Sequence, residues 1–304
     1  MAFSNLYSAI CRGKWFISFR DVEANMLLVE KILLDNDITK DASVLSDRDP
    51  IPIFMSTGDK EAKSGNSFAD APNDSTAIIP IRGTLLKYGS YCAYGTMEYG
   101  QIIRQAADSQ NISSIILDID SGGGSVDAIA PVVDAIQYAK SKSKWPVARV
   151  DLCASAAYYI ASYCNEIIAT NSISAEIGSI GVMMSFPDYA KYYEKEGVKI
   201  HTVYSNLSDY KNAPFEAARK GEYELIKTEE LDPLARDFQK NVKANRSGKL
   251  KTDTKGILNG RMFYAEDAVS KGLIDGIDKA ENIVRRVREL SREACITEYI
   301  NSKN

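Results

Sequence analysis

A mixed α/β fold with a largely parallel sheet is predicted by two features of the sequence. From residue 76 onward, short apolar runs alternate with helix patterns, the order that produces βαβ units and parallel pairing. Two of these runs end abruptly in small residues, SGGG (121–124) and CASAA (153–157), and a helix pattern follows each. With 304 residues, 45% of them hydrophobic, the chain is long enough to bury a full core.

In chain order, residues 3–34 are predicted helical, because Val22, Met26, Val29 and Leu33 recur at steps of four, three and four. Residues 41–75 are rich in Asp, Ser, Gly, Asn and Pro, and read as a flexible linker or surface loop. TAIIPIRGTL (76–85) is a strand, with Pro80 marking an edge or a bend. A helix follows over 97–109, then the compact strand SSIILDID (113–120). Val126, Ile129, Val133 and Ile136 share one face of the next helix.

PVARVDL (146–152) is a strand that runs straight into the helix pattern SAAYYIASYC (155–164). EIIAT (166–170) and GVKIHTVY (197–204) read as further strands. Residues 215–247 form a charged helical stretch interrupted near Pro233, and NGRMFYAEDAVSKGLIDGI (259–277) closes the core. The charged helix over 279–300 is expected in solvent or at a subunit contact. The expected organisation is an N-terminal helical extension (1–42), a linker or loop (43–75), a core domain (76–278) and a C-terminal charged helix (279–304).

Composition excludes several function classes. Lys and Arg number 37 against 41 Asp and Glu, a net charge of −4, which lacks the basic face of a nucleic-acid binder. The five cysteines (Cys11, Cys92, Cys153, Cys164 and Cys295) are widely spaced without a CxxC pair, so neither zinc nor any cofactor is expected. A reduced, intracellular setting, the cytoplasm, suits them. No stretch approaches the ~18 uncharged apolar residues of a membrane span, and the N-terminus has no secretion-signal pattern, so no membrane anchor is expected.

Chemistry concentrates at the two small-residue corners. In DIDSGGGSV (118–126), three glycines after a strand let backbone amides approach a ligand. They could hold an oxyanion or a phosphate, or simply make a tight turn, although neither GxGxxG nor GxxxxGK[ST] is present. In DLCASAAYYIAS (151–162), Ser155 lies between strand and helix with only alanines beside it. It reads either as a nucleophile with room for a substrate carbonyl or as an ordinary helix N-cap. A nucleophilic serine needs a base. The single histidine, His201, falls within a strand pattern. A lysine is the other choice, because burial favours the neutral amine.

Five segments, in order, resemble the signal-peptide-peptidase-A-like serine peptidases, particularly their phage and prophage head-protease branch. They are LDIDSGGGSVD (117–127), ASAAYYIA (154–161), IGSIGVMM (177–184), SDYKNAPFE (208–216) and GRMFYAEDAVSKGLIDGI (260–277). IPIRGTL (79–85) is similar to that family's first core strand, and RGKWFISFRDVEANM (12–26) to the leader of the phage branch. The resemblance implies a Clp protease/crotonase-like fold of repeated ββα units. It implies Ser155 as nucleophile, Lys211 as base, the amides of Gly123 and Ala156 as oxyanion hole, and Ser179 as the residue that positions the lysine.

The chain departs from the family in having Gly122 where proline is usual, and in the short spacing from Lys211 to Pro214. Lys211 is nevertheless the only lysine between Lys199 and Lys220. The function implied is proteolysis through an acyl-enzyme in capsid maturation, with a capsid or scaffold protein as substrate and a homo-oligomeric ring enclosing the sites. The alternatives are a cytosolic peptide-degrading peptidase, a crotonase-like acyl-CoA enzyme and a catalytically silent scaffold of the same fold.

Overall fold

Branched apolar runs become the strands of one large sheet, and the amphipathic stretches between them become its covering helices. The computed structural model describes residues 67–89, 94–186 and 190–301, together with three short strands ahead of them. These are β1 (Trp15–Ile17), β2 (Ile53–Ser56) and β3 (Lys63–Gly65). The chain continues through β4 (Ser75–Arg82), α1 (Thr96–Asp108), β5 (Ile112–Ser121), β6 (Gly123–Ser125) and α2 (Ile129–Ser141). Next come β7 (Trp145–Ala154), α3 (Ala156–Ser162), β8 (Glu166–Ala169), β9 (Glu176–Gly178), α4 (Ala190–Lys195) and α5 (Ala213–Arg219). A helical turn at Glu224–Ile226 and a π-helical turn at Lys227–Leu231 lead into α6 (Asp232–Asn245). β10 (Met262–Tyr264), α7 (Ala265–Ser270), β11 (Gly276–Ile277) and α8 (Ala280–Asn301) complete the described chain.

The main sheet runs β10-β9-β7-β5-β4-β2-β3, and β8 pairs with both β7 and β11. Its centre is parallel: β4 with β5, β5 with β7, and β7 with β8 along its first half and with β9 along its second. The antiparallel pairs lie toward the edges. The expected α/β class with a largely parallel sheet is met. The reason is visible in β5 and β7, whose apolar side chains on both faces require cover on both sides.

One face packs against α1, α2, α3 and α6, through Ile103, Val132, Ile136, Tyr158, Phe238 and Val242. The opposite face is closed by α8, whose Ile283, Val284 and Val287 meet Ile78, Ile116, Val147 and Ile168. The last helix, expected in solvent or at a subunit contact, thus packs one face on the chain's own sheet. A narrow apolar stripe buries it, and Arg286 pairs with Glu166 while Arg288 pairs with Asp74.

Three further expectations are corrected. Residues 15–17 are strand, not the helix expected over 3–34, which suits an aromatic and β-branched Trp-Phe-Ile run. The rest of that helix lies outside the described residues. The stretch 43–75, expected as linker or loop, contributes β2 and β3, and β2 extends the main sheet beside β4; its remaining residues up to 66 lie outside the described ones. Finally, 197–204 forms no strand and leaves Val198, Ile200 and Val203 in solvent. Its alternating pattern finds no neighbouring strand among the described residues, and a strand needs a partner for its backbone groups.

α6 and the segment after α7 brace the helix that opens at the Ser155 corner. The Tyr158 hydroxyl donates to the Leu273 carbonyl at 2.7 Å, and the Tyr159 ring packs on Phe238 with centroids 5.0 Å apart. Beneath them Arg246, 3% exposed, donates to both oxygens of Asp275 at 2.8 and 3.1 Å. The Ile167 amide adds a bond to Asp275 at 2.8 Å. Burial pushes the Asp275 carboxyl upward, but hydrogen bonds from Arg246 and Lys249 outweigh this and hold it below the usual aspartate range.

A carboxylate with a lowered folded value stabilises fully above its unfolded value, near pH 4, and loses that contribution as pH falls through the folded value. Asp275→Asn is expected to cost about 3 kcal/mol at neutral pH, since it leaves Arg246 buried without its counter-charge. Urea unfolding at pH 7 and pH 3 checks this: the gap between wild type and variant should narrow at the lower pH.

Candidate active site

The site grows out of the carboxyl end of β7. Ser155 has φ 54° and ψ −116°, a conformation that costs a non-glycine residue about 1–3 kcal/mol and persists only where its surroundings enforce it. They do so here. The Ser155 amide donates to the Gly178 carbonyl at 2.8 Å, and the Ser155 carbonyl accepts from the Tyr159 amide at 2.8 Å. Ser155 makes no side-chain cap bond, so the plain N-cap reading does not hold. Its hydroxyl, 1% exposed as a residue, donates to the Gly181 carbonyl at 3.4 Å. Ala156 begins α3, so its amide has no carbonyl partner within the helix.

The IGSIGV segment stands directly beside this corner, because β9 pairs with the end of β7 and sets Gly178 opposite Ala154. Ser179 also has a positive φ, 54°, and its amide is held by the Arg261 carbonyl at 3.0 Å. Gly178 must be glycine, since a Cβ there would collide with that same carbonyl. The Arg261 carbonyl and the Gly181 carbonyl are site elements that motif reading did not single out. Their role is carried by backbone atoms, which leave no residue-type signal.

On the other side, Ser121 pairs with Cys153, which places the glycine run at the same sheet edge. The Ser121 hydroxyl donates to the Gly83 carbonyl at 2.5 Å and accepts from the Gly123 amide at 3.1 Å. Ser121 was also missed, although it immediately precedes the three glycines. The run does not wrap a helix N-terminus as a phosphate loop would. It continues as β6, with Gly124 so close to the Leu85 carbonyl that a Cβ would collide. β6, which carries Gly123, packs against α3, which opens at Ala156.

Lys211 lies in the loop just ahead of α5. It follows a turn in which its amide donates to the Ser208 carbonyl at 3.1 Å, and its side chain is exposed. Among the described residues, its ammonium has no hydrogen-bond partner, and no bond joins it to Ser155 or Ser179. His201 is exposed in the same unpaired segment. Cysteine chemistry is disfavoured for the described thiols: burial pushes Cys153 up and takes Cys164 to about 12.

The residues around this corner match the model of peptidase family S49 over residues 139–293. The chain belongs to peptidase family S49. This S49 chain is 29% identical over 214 residues to the head-tail preconnector protein GP5 of Enterobacteria phage P21, covering 68% of the chain and 42% of that protein. It is 28% identical over 221 residues to the capsid assembly protease C of Escherichia phage lambda, covering 70% and 48% respectively. The S49 chain thus spans less than half the length of either phage relative. Among solved structures, it is similar to the 1510-N membrane-bound stomatin-specific protease in complex with a substrate peptide. That likeness has a TM-score of 0.44 and 18% identity, over 70% of this chain and 78% of the other. Among the described residues of the S49 chain, no helix is long and apolar enough to cross a membrane.

Proposed function

We propose that this chain is a serine endopeptidase in which Ser155 attacks the scissile carbonyl and Lys211 accepts the hydroxyl proton. The observation that carries the reading is Ser155 itself: buried, held at φ 54°, and inside the S49-matched segment. In the proposed reaction the Ser155 oxygen bonds to the substrate carbonyl carbon. The amides of Gly123 and Ala156 hold the oxyanion, and the C–N bond breaks as Lys211 returns the proton to the leaving amine. Water then enters with the same base and releases the acid. Ser179 is proposed to orient the lysine. Oxyanion binding at Gly123 requires its amide to turn from the Ser121 hydroxyl toward the substrate.

Lys211 must approach Ser155 and leave water to act as a base, and the exposed segment before it supports a means. Val203 is 89% exposed, Leu207 94% and Tyr210 59%, a run of apolar side chains that water disfavours. We assign its cover to a second copy of the chain in a homo-oligomer, which would order the segment and desolvate Lys211. Val203→Glu is expected to shift the assembly toward monomer in light scattering and to lower peptidase activity at least ten-fold. Its thermal unfolding as a monomer should stay near wild type, since an exposed substitution typically costs within about 0.5 kcal/mol. An active Val203→Glu monomer would remove the assembly from the mechanism.

The phage relatives support capsid maturation as the setting, in host cytoplasm or prohead, with a capsid or scaffold protein as substrate. Co-expression with a candidate capsid or scaffold protein, followed by mass spectrometry of both chains, tests this directly. Cleavage should appear with wild type and be absent with Ser155→Ala.

A further inference from the structure

The three-residue strand that carries the candidate oxyanion glycine has two edges. On one, the Gly123 carbonyl accepts from the Leu85 amide at 2.8 Å and the Ser125 amide donates to the Leu85 carbonyl at 2.9 Å. This leaves the amide and carbonyl of Gly124 facing the other edge, and that edge is occupied. β1 pairs with it antiparallel, with Trp15 opposite Ser125, Phe16 opposite Gly124 and Ile17 opposite Gly123. These two strands form a sheet of their own, separate from the main one.

A peptide whose carbonyl lies between Gly123 and Ala156 would run its neighbouring backbone past Gly124. Its main-chain groups would then need the edge that Trp15–Ile17 now fills. From this juxtaposition we infer that the chain's own residues 15–17 close in cis the outer edge of Gly123–Ser125, holding it shut to an extended peptide that would pair there. The inference rests on the proposed oxyanion position. A strand of three residues is short enough to be displaced, whereas as part of the same chain it competes at a high effective concentration. An extended peptide gains access when the internal strand leaves, and main-chain hydrogen bonds provide its affinity.

The test is a binding measurement in the full chain carrying Ser155→Ala, so that hydrolysis plays no part. The probe is a fluorescein-labelled synthetic peptide, RGKWFISFR, the sequence of residues 12–20. Adding Phe16→Pro removes the backbone N–H that faces Gly124 and breaks the internal strand. The Phe16→Pro chain should bind the probe about ten-fold more tightly than its parent, by fluorescence anisotropy. Phe16→Ala keeps the backbone donor and should stay near the parent.

Hydrogen exchange supplies a second reading. The peptide spanning 122–126 should exchange faster in the Phe16→Pro chain and regain protection when the probe is added. Equal affinity in all three chains, no binding to any, or Phe16→Ala opening the edge as fully as Phe16→Pro would overturn the inference. A Ser155-intact chain that fails to hydrolyse while these binding differences hold counts against the nucleophile, not against the strand.

Discussion

Ser155→Ala is expected to leave a folded protein that hydrolyses peptide at least about 10⁴-fold more slowly than wild type, the scale seen when a nucleophile is removed from a serine peptidase. Folding should survive because the change deletes one hydroxyl whose hydrogen bond, among the described residues, is a 3.4 Å contact to the Gly181 carbonyl. A companion variant separates strain from chemistry. At φ 54° alanine keeps the strain of the native backbone, whereas glycine relieves it. Ser155→Gly should therefore be at least as stable as Ser155→Ala by thermal unfolding, reversing the usual order of these two residues, and equally inactive. Wild-type turnover in either variant would remove Ser155 from the mechanism.

Lys211→Arg is expected to be as inactive as Lys211→Ala, again by about 10⁴-fold, because a guanidinium cannot give up its proton at working pH. Charge and exposure are preserved in the arginine variant, so a role in salt bridging or solubility predicts near-normal activity instead. The comparison of kcat/KM for the two variants, on a peptide that wild type cleaves, decides between them. His201→Gln should retain most activity, since His201 lies exposed in an unpaired segment. An active Lys211→Arg together with an inactive, folded His201→Gln would return the histidine to the role of base.

The strand and helix alternation from residue 76 was legible because burial on both sheet faces demands the continuous apolar runs that the sequence displays in β5 and β7. The two corners were legible for a similar local reason: small residues directly after an apolar run leave few other conformations. Less legible were the segments whose state depends on a distant partner. The charge of α8 hid a stripe of Ile283, Val284 and Val287 that matters only once Ile116 and Val147 are assembled beneath it. The 197–204 pattern looked like a strand and remained unpaired, while the polar stretch before residue 75 supplied two strands.

By itself, then, the sequence determined the α/β class, the Ser155 corner, the glycine run beside it and the family to which the ordered motifs belong, because each is written in neighbouring residues. Only the tertiary structure decided how those pieces meet. It set Ser155 at a strained φ held by the Gly178 carbonyl, placed Ser121 across from Cys153, and left Lys211 in solvent. It also laid Trp15–Ile17 along the glycine strand. Pairing and strain arise from backbone groups far apart in the chain, and a backbone amide carries the same chemistry at nearly every residue, so no local pattern announces which one it will meet.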